Sequence, residues 1–301
     1  MKTVSKRLLS LTAFLLSVSL FAVSAEAAGS PQTSVSNSGE EFDANQNQPV
    51  QTTQTSPAYE GTGLTKRQLA QNSKADIKSL KPSSIIGTDE RIRISPTTSF
   101  PYRATAQLTV TYSGSTSTYG CTGFLSMLTR SLRRDIACMI KNGWASKITA
   151  APGRNGSSYP YDSYSGKTFY SVKGWTENGD TKLDYGAIKV NGSPEYCRLV
   201  RLSDDQQFQS GRAFLNRDRV SVRQSVRFHV VGQQADTFAE TYKLTYTTDT
   251  FGCQSGSPVY RNYSDTGQTA IAIHTNGGSS YNLGTRVTNS VFDNIQYWSN
   301  Q

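Results

Sequence analysis

The segment FGCQSGSPVY at 251–260 carries the sharpest chemical signal in the sequence. A serine held between small residues, with Gly256 behind it, can sit on a tight turn that exposes its hydroxyl. The backbone N–H groups of Cys253 and Ser255 can then converge on one point, which suits acyl transfer because converging donors stabilise the oxyanion of a tetrahedral intermediate. A Gly/Ser loop of an exported β protein has the same composition, so the motif alone leaves both readings open. In TKLDYGAIKV, Asp184 stands at the mouth of a strand, a place that turn aspartates also occupy. In AIAIHTNGGSSYNLGTRVT, His274 ends an apolar strand. A lone histidine there is commonly a packed one. About twenty residues beyond a serine loop, however, it lies where a pocket wall would be and can hydrogen-bond a bound carboxylate.

These residues need a scaffold, and its pattern is legible. Alternating apolar and polar residues predict strands at 105–112, 167–175, 185–190, 241–250 and 269–276, separated by clusters of Gly, Asn, Ser and Pro. Near the carboxyl end, Asn289 can cap a helix in which Val291, Phe292, Ile295 and Trp298 fall on one side. The expected fold class is all-β and antiparallel, with a C-terminal helix.

The amino end addresses compartment. Lys2, Lys6 and Arg7 precede an apolar run from Leu8 to Val23 and then small residues, so 1–27 reads as a secretory signal peptide cut after Ala25 or Ala27. The run is shorter than the ~20 apolar residues a membrane span needs. Residues 28–83 read as a largely disordered propeptide, because the stretch from Gly29 to about Thr65 has almost no large apolar residue with which to offset its ordering entropy. Residues 84–301 read as one large domain or two small ones sharing a site. Four cysteines in an exported chain favour disulfides over metal binding. The net charge of +9 is gathered in local windows rather than on a patterned face, which argues for a solvated surface and against nucleic-acid binding.

Five motifs in order, SSIIGTDERIR, AAPGRNGSSYPY, LDYGAI, GCQSGSP and IHTNGGSSYNLGTRVT, resemble the bacterial glutamyl endopeptidases, a secreted branch of the chymotrypsin-like serine proteases. The resemblance runs from about Ser84 to the end. It implies two antiparallel β-barrels with the site between them, and a propeptide removed so that Ser84 begins the mature chain. It also implies Ser255 as nucleophile, Asp184 as the carboxylate that orients the base, and Thr250 with His274 as the pocket for a Glu side chain. The expected protein is a monomer acting on proteins or peptides with an acidic residue before the scissile bond. No cofactor, metal, nucleic acid or membrane partner is implied.

The family pattern also demands a histidine in a TAGHC-type motif shortly after CTGF. CTGF stands at 121–124, but the basic stretch that follows has no histidine, and the chain holds only His229 and His274. A synonymous coding of Leu128 to Lys141, begun at the third base, reads DTVVTAGHCVYDQ. The histidine codon then straddles Asp135 and Ile136. Synonymous choice frees about one base per codon, so chance recovery of the missing motif at the required place is improbable. Glu195 to Leu215 can likewise be encoded so that the second-base reading gives NTVGWYGYRMTNSSSPVGLSS, and Arg227 to Val230 can give FPC, whose cysteine would suit Cys253. Windows 126–142 and 195–238 are therefore expected to be shifted readings of an ordinary protease gene. Taken as it stands, the chain would lack a core strand in its first barrel and a base for Ser255, and would be a catalytically inactive, protease-shaped binding protein. A metallopeptidase fits poorly, since there is no H-E-x-x-H and the two histidines lie 45 residues apart.

Overall fold

The computed structural model describes residues 30–43, 48–50, 85–89, 91, 93–127, 135–138, 144–192, 200–202, 220–222, 237–263 and 267–301. The expected signal peptide, the expected junction at Ser84, Cys197, His229 and most of both suspect windows lie outside the described residues.

Three short leader strands come first: β1 (Ser34–Ser36), β2 (Glu41–Asp43) and β3 (Gln48–Val50). The first barrel follows as β4 (Thr105–Tyr112), β5 (Thr118–Met127), β6 (Asp135–Cys138), β7 (Ala145–Pro152), β8 (Tyr164–Val172) and β9 (Gly186–Val190). Each of these strands pairs antiparallel with two others of the set, in the cyclic order β4, β5, β6, β9, β8, β7, so the sheet closes on itself, while the C-terminal end of β8, beyond its pairing with β7, keeps an edge that β1 takes. Leu108, Phe124, Ile148, Phe169 and Ile188 fill its interior. The expectation that this barrel would lack a strand is corrected. β6 closes the ring, with Leu125 opposite Ile136 on one side and Gly186 opposite Cys138 on the other.

The second set is β10 (Val200–Leu202), β11 (Val220–Val222), β12 (Thr237–Ala239), β13 (Lys243–Tyr246), β14 (Pro258–Tyr263), β15 (Gly267–Gly277) and β16 (Asn282–Arg286). Six of these make the second antiparallel barrel, in the order β12, β13, β16, β15, β14, β11. Leu244, Tyr246, Val259, Ile271 and Ala272 form its core. β10 runs parallel to both β5 and β15 and joins the two barrels.

Predicted element limits shift where local chemistry intervenes. The strand expected over 167–175 stops at Val172, and Lys173–Thr176 form a helical turn, α1. Gly179, at φ +63, and Asp180 then bond back to the carbonyls of Trp175 and Gly174 and reverse the chain. The strand expected over 241–250 is paired only at Lys243–Tyr246. The C-terminal helix α2 spans Asn289–Asn300 and is capped by Thr288, one residue before Asn289. The Thr288 hydroxyl accepts from Val291 N–H at 3.4 Å. Val291, Ile295 and Trp298 face inward as the spacing predicts, joined by Asn294.

Composition read the leader as unable to order itself, yet residues 30–43 are ordered on the domain. Main-chain pairing of β1 with β8 supplies what the side chains lack.

Candidate active site

The loop 251–257 is built by alternate commitment of its backbone donors. Gln254 N–H bonds to Phe251 O at 3.2 Å, Gly256 N–H to His274 O at 2.7 Å and Ser257 N–H to Gln254 O at 2.8 Å. Those of Cys253, just before Gln254, and of Ser255, between Gln254 and Gly256, have no acceptor among the described residues. A buried or half-buried N–H is rarely left open without a reason. Cys253 adopts φ +74, one of two non-glycine residues in the left-handed region among those described, and Gly256 follows at φ +90. This backbone lets two alternate N–H groups escape the turn.

The Ser255 hydroxyl donates to Thr275 O at 3.3 Å. β5 grips the loop from the first barrel: Thr122 N–H bonds to Ser255 O at 2.9 Å and the Thr122 hydroxyl to Cys253 O at 2.7 Å. The serine therefore stands on the seam between barrels.

Asp184 reaches the same seam from the first barrel. It is buried, at 2% exposure, at the end of a 3₁₀ turn, Thr181–Leu183, whose Asp180 side chain accepts from Lys182 N–H at 3.0 Å. Its carbonyl accepts from the Thr285 hydroxyl of β16 at 3.0 Å. Between Thr285 and Thr275 lies a group that sequence reasoning missed. The buried Lys243 ammonium donates to Thr275 Oγ1 at 3.2 Å and to Thr285 Oγ1 at 3.0 Å. Burial lowers the Lys243 pKa, while the charges of Asp184 and Asp180 oppose that shift. Strand parity was the available signal. Lys243 alternates with Leu244 and Tyr246, so it leaves their core and faces the seam, a position that composition alone assigns to solvent.

His274 is buried on β15, and its backbone N–H bonds to Ser257 O at 2.8 Å. Its Nδ1 meets the Tyr246 hydroxyl. Burial pushes its pKa down to about 4; a backbone hydrogen bond with Leu283 opposes this and the Lys243 charge reinforces it. The ring is thus neutral at neutral pH. Thr250 is fully buried, and its hydroxyl donates to Asn282 Oδ1 at 3.4 Å. Asn282 is the cross-strand partner of Tyr246, so Thr250 and His274 are linked through that pair. Beside Thr250, Asp249 Oδ1 accepts from Ile86 N–H at 2.7 Å.

The two described thiols are not bonded to each other. Gly120 and Thr122 turn toward the Cys253 loop, where Cys253 Sγ lies 3.1 Å from the place a Gly120 Cβ would take. Strand alternation turns Cys121 the other way, against the first core, where burial pushes its thiol up to about 12.

No family model matches the chain. Over 295 residues it is 58% identical to an extracellular metalloprotease of Bacillus subtilis (strain 168), covering 93% of this chain and 91% of that protein. Over 267 residues it is 35% identical to a glutamyl endopeptidase of Bacillus licheniformis, covering 81% and 79%. A solved Glu endopeptidase in complex with MPD superposes with a TM-score of 0.56 at 21% identity, over 72% of this chain and all of that one. The first relative's name raises a metal, but the described residues do not fit one. They contain no group of three or more His, Cys, Asp and Glu side chains placed to hold an ion. Among the described residues no helix is long and apolar enough to cross a membrane.

Proposed function

Because the chain belongs to the glutamyl endopeptidase family of chymotrypsin-like serine proteases, we propose that it is a secreted, monomeric endopeptidase that cleaves after Glu and less often after Asp. Ser255 Oγ attacks the carbonyl carbon of the scissile bond. Its proton passes to an imidazole held by Asp184, and the carbonyl oxygen becomes an oxyanion met by the N–H groups of Cys253 and Ser255. Collapse expels the amine, which takes the proton from the imidazole. Water, deprotonated by the same ring, then releases the acid from the acyl-enzyme and restores the Ser255 hydroxyl. The pair of backbone donors left open at Cys253 and Ser255, beside a half-buried serine hydroxyl, carries this reading.

The imidazole belongs to the shifted frame, at the junction of Asp135 and Ile136. The backbone supports that assignment. Those residues lie on β6, which pairs with β5, the strand that grips the Ser255 loop, and with β9, which begins two residues after Asp184. For the acidic preference, neutral His274 and Thr250 are the candidate hydrogen-bond donors to a Glu carboxylate. An extracellular relative and the basic, apolar segment 1–27 support export.

The test is a peptide library varied at the residue before the scissile bond. Cleavage concentrated after Glu, absent in Ser255→Ala, is expected; cleavage indifferent to that residue overturns the specificity. The inactive binding protein is the second reading, favoured by the Ser255 hydroxyl resting on a carbonyl rather than on a base. A fluorophosphonate separates the two, since it labels an activated serine and ignores a dead one.

A further inference from the structure

Residues Ser30–Asp43 precede the proposed junction at Ser84 by some forty positions and nevertheless belong physically to the domain. β1 adds to the edge of β8 in antiparallel register, Ser34 opposite Val172 and Ser36 opposite Tyr170. The pairing continues beyond the strand at both ends. Gly174 N–H bonds to Pro31 O, Lys173 N–H to Thr33 O and Asn37 N–H to Phe169 O, each at 2.9 Å.

Side chains then lock the leader to α2. Asn294 Nδ2 donates to Gln32 O at 2.9 Å, Trp298 Nε1 donates to the Ser34 hydroxyl, and Phe42 stacks on Tyr297 with centroids 3.7 Å apart. Lys173 pairs with Glu41 at 2.8 Å. Thr33, Ser34, Val35, Ser36 and Asp43 are all buried. Without this segment the indole of Trp298 and the amide of Asn294 would each lose a partner inside the protein, a penalty of the kind that makes buried polar groups decisive.

The leader also abuts the residues on either side of Asp184. Tyr185 donates its hydroxyl to Gln32 Oε1 at 2.7 Å. On the other flank, Gly174 has no room for a side chain: a Cβ there would lie 2.4 Å from Leu183 Cδ1 and 2.9 Å from Pro31 O. The contacts of 30–43 fall on β8, the 173–185 segment and α2 rather than on the Ser255 loop, so the segment supports the site without covering it.

We propose that Ser30–Asp43 is a permanent strand of the protease domain, which remains docked after the chain is cut before Ser84 and fixes the turn that carries Asp184. The inference rests on the reading of Ser84 as the junction and of Asp184 as a site residue. Its test does not depend on catalysis.

The full chain, carrying an engineered protease site between residues 44 and 84, is cut and passed through gel filtration, and its melting temperature is compared with that of the uncut chain. Co-elution of the leader with 84–301 and an unchanged melting temperature are expected. The double variant Gln32→Ala/Phe42→Ala should melt roughly 5–10 °C lower, from a lost buried hydrogen bond and a lost ring stack. A synthetic peptide of residues 30–43 should saturably stabilise a full chain from which that segment has been deleted, or restore its refolding if it does not fold alone. Release of the leader on cutting without loss of stability, or a double variant that melts like the parent, overturns the proposal. Absence of proteolysis after Glu would overturn the functional reading and leave these melting results to decide the docking separately.

Discussion

The Lys243 ammonium donates to Thr275 Oγ1 at 3.2 Å, and the carbonyl of that same threonine takes the Ser255 hydroxyl at 3.3 Å. A buried cation is thereby one residue from the Ser255 hydroxyl and, through Thr285, one residue from Asp184. Its hydrogen bonds hold both sides of the barrel seam in register.

Lys243→Met should therefore separate catalysis from stability. Removing the ammonium frees the Thr275 and Thr285 hydroxyls to shift, and kcat/KM should fall about tenfold, mostly in kcat. The melting temperature should stay level or rise, because an apolar side chain of similar volume escapes the cost of burying charge. Steady-state kinetics and a melting curve on one preparation check both halves.

His274 predicts a pH dependence with a definite sign. Its folded pKa, about 4, lies below the ordinary 6.5, so the unfolded chain takes up a proton that the folded chain refuses. Its neutral form leaves stability intact above about pH 6.5, and stability is lost as pH falls toward 4, by at most about 3 kcal/mol. Urea unfolding between pH 7 and 4 should show this loss in the parent and a shallower one in His274→Gln.

His274→Ala should abolish the preference for Glu while leaving a little general proteolysis. Thr250→Val should raise KM for Glu substrates by roughly tenfold, the cost of one hydrogen bond to a charged group. Unchanged cleavage preference in the peptide library would remove these residues from the pocket.

Cys253 holds a left-handed backbone that suits glycine. Cys253→Gly should raise stability by about 1 kcal/mol, the strain a side chain adds at positive φ, and keep the N–H that faces the site. Thermal melting reads the gain, and the fluorophosphonate rate should not fall.

The barrel strands were legible because their alternation is local: β4 occupies the predicted 105–112. The serine loop was legible because its geometry needs small residues. Lys243 was not, since only the pairing of β13 with β16 brings its side chain beside Thr285. The docked leader was equally hidden, because its affinity lies in main-chain bonds to β8 and in α2 residues more than 250 positions away, as with Trp298 and Ser34. Thr288 displaced Asn289 as the cap by a single residue, a choice between two capping side chains that propensity alone does not make.

Peptide mapping of the purified protein after fluorophosphonate labelling locates the reactive serine and reads the frame of 126–142 in one digest. The label is expected on Ser255, together with a peptide containing TAGHC. A label on Ser255 in protein whose digest contains DIACMIK, with two histidines in its intact mass, would contradict the shifted frame.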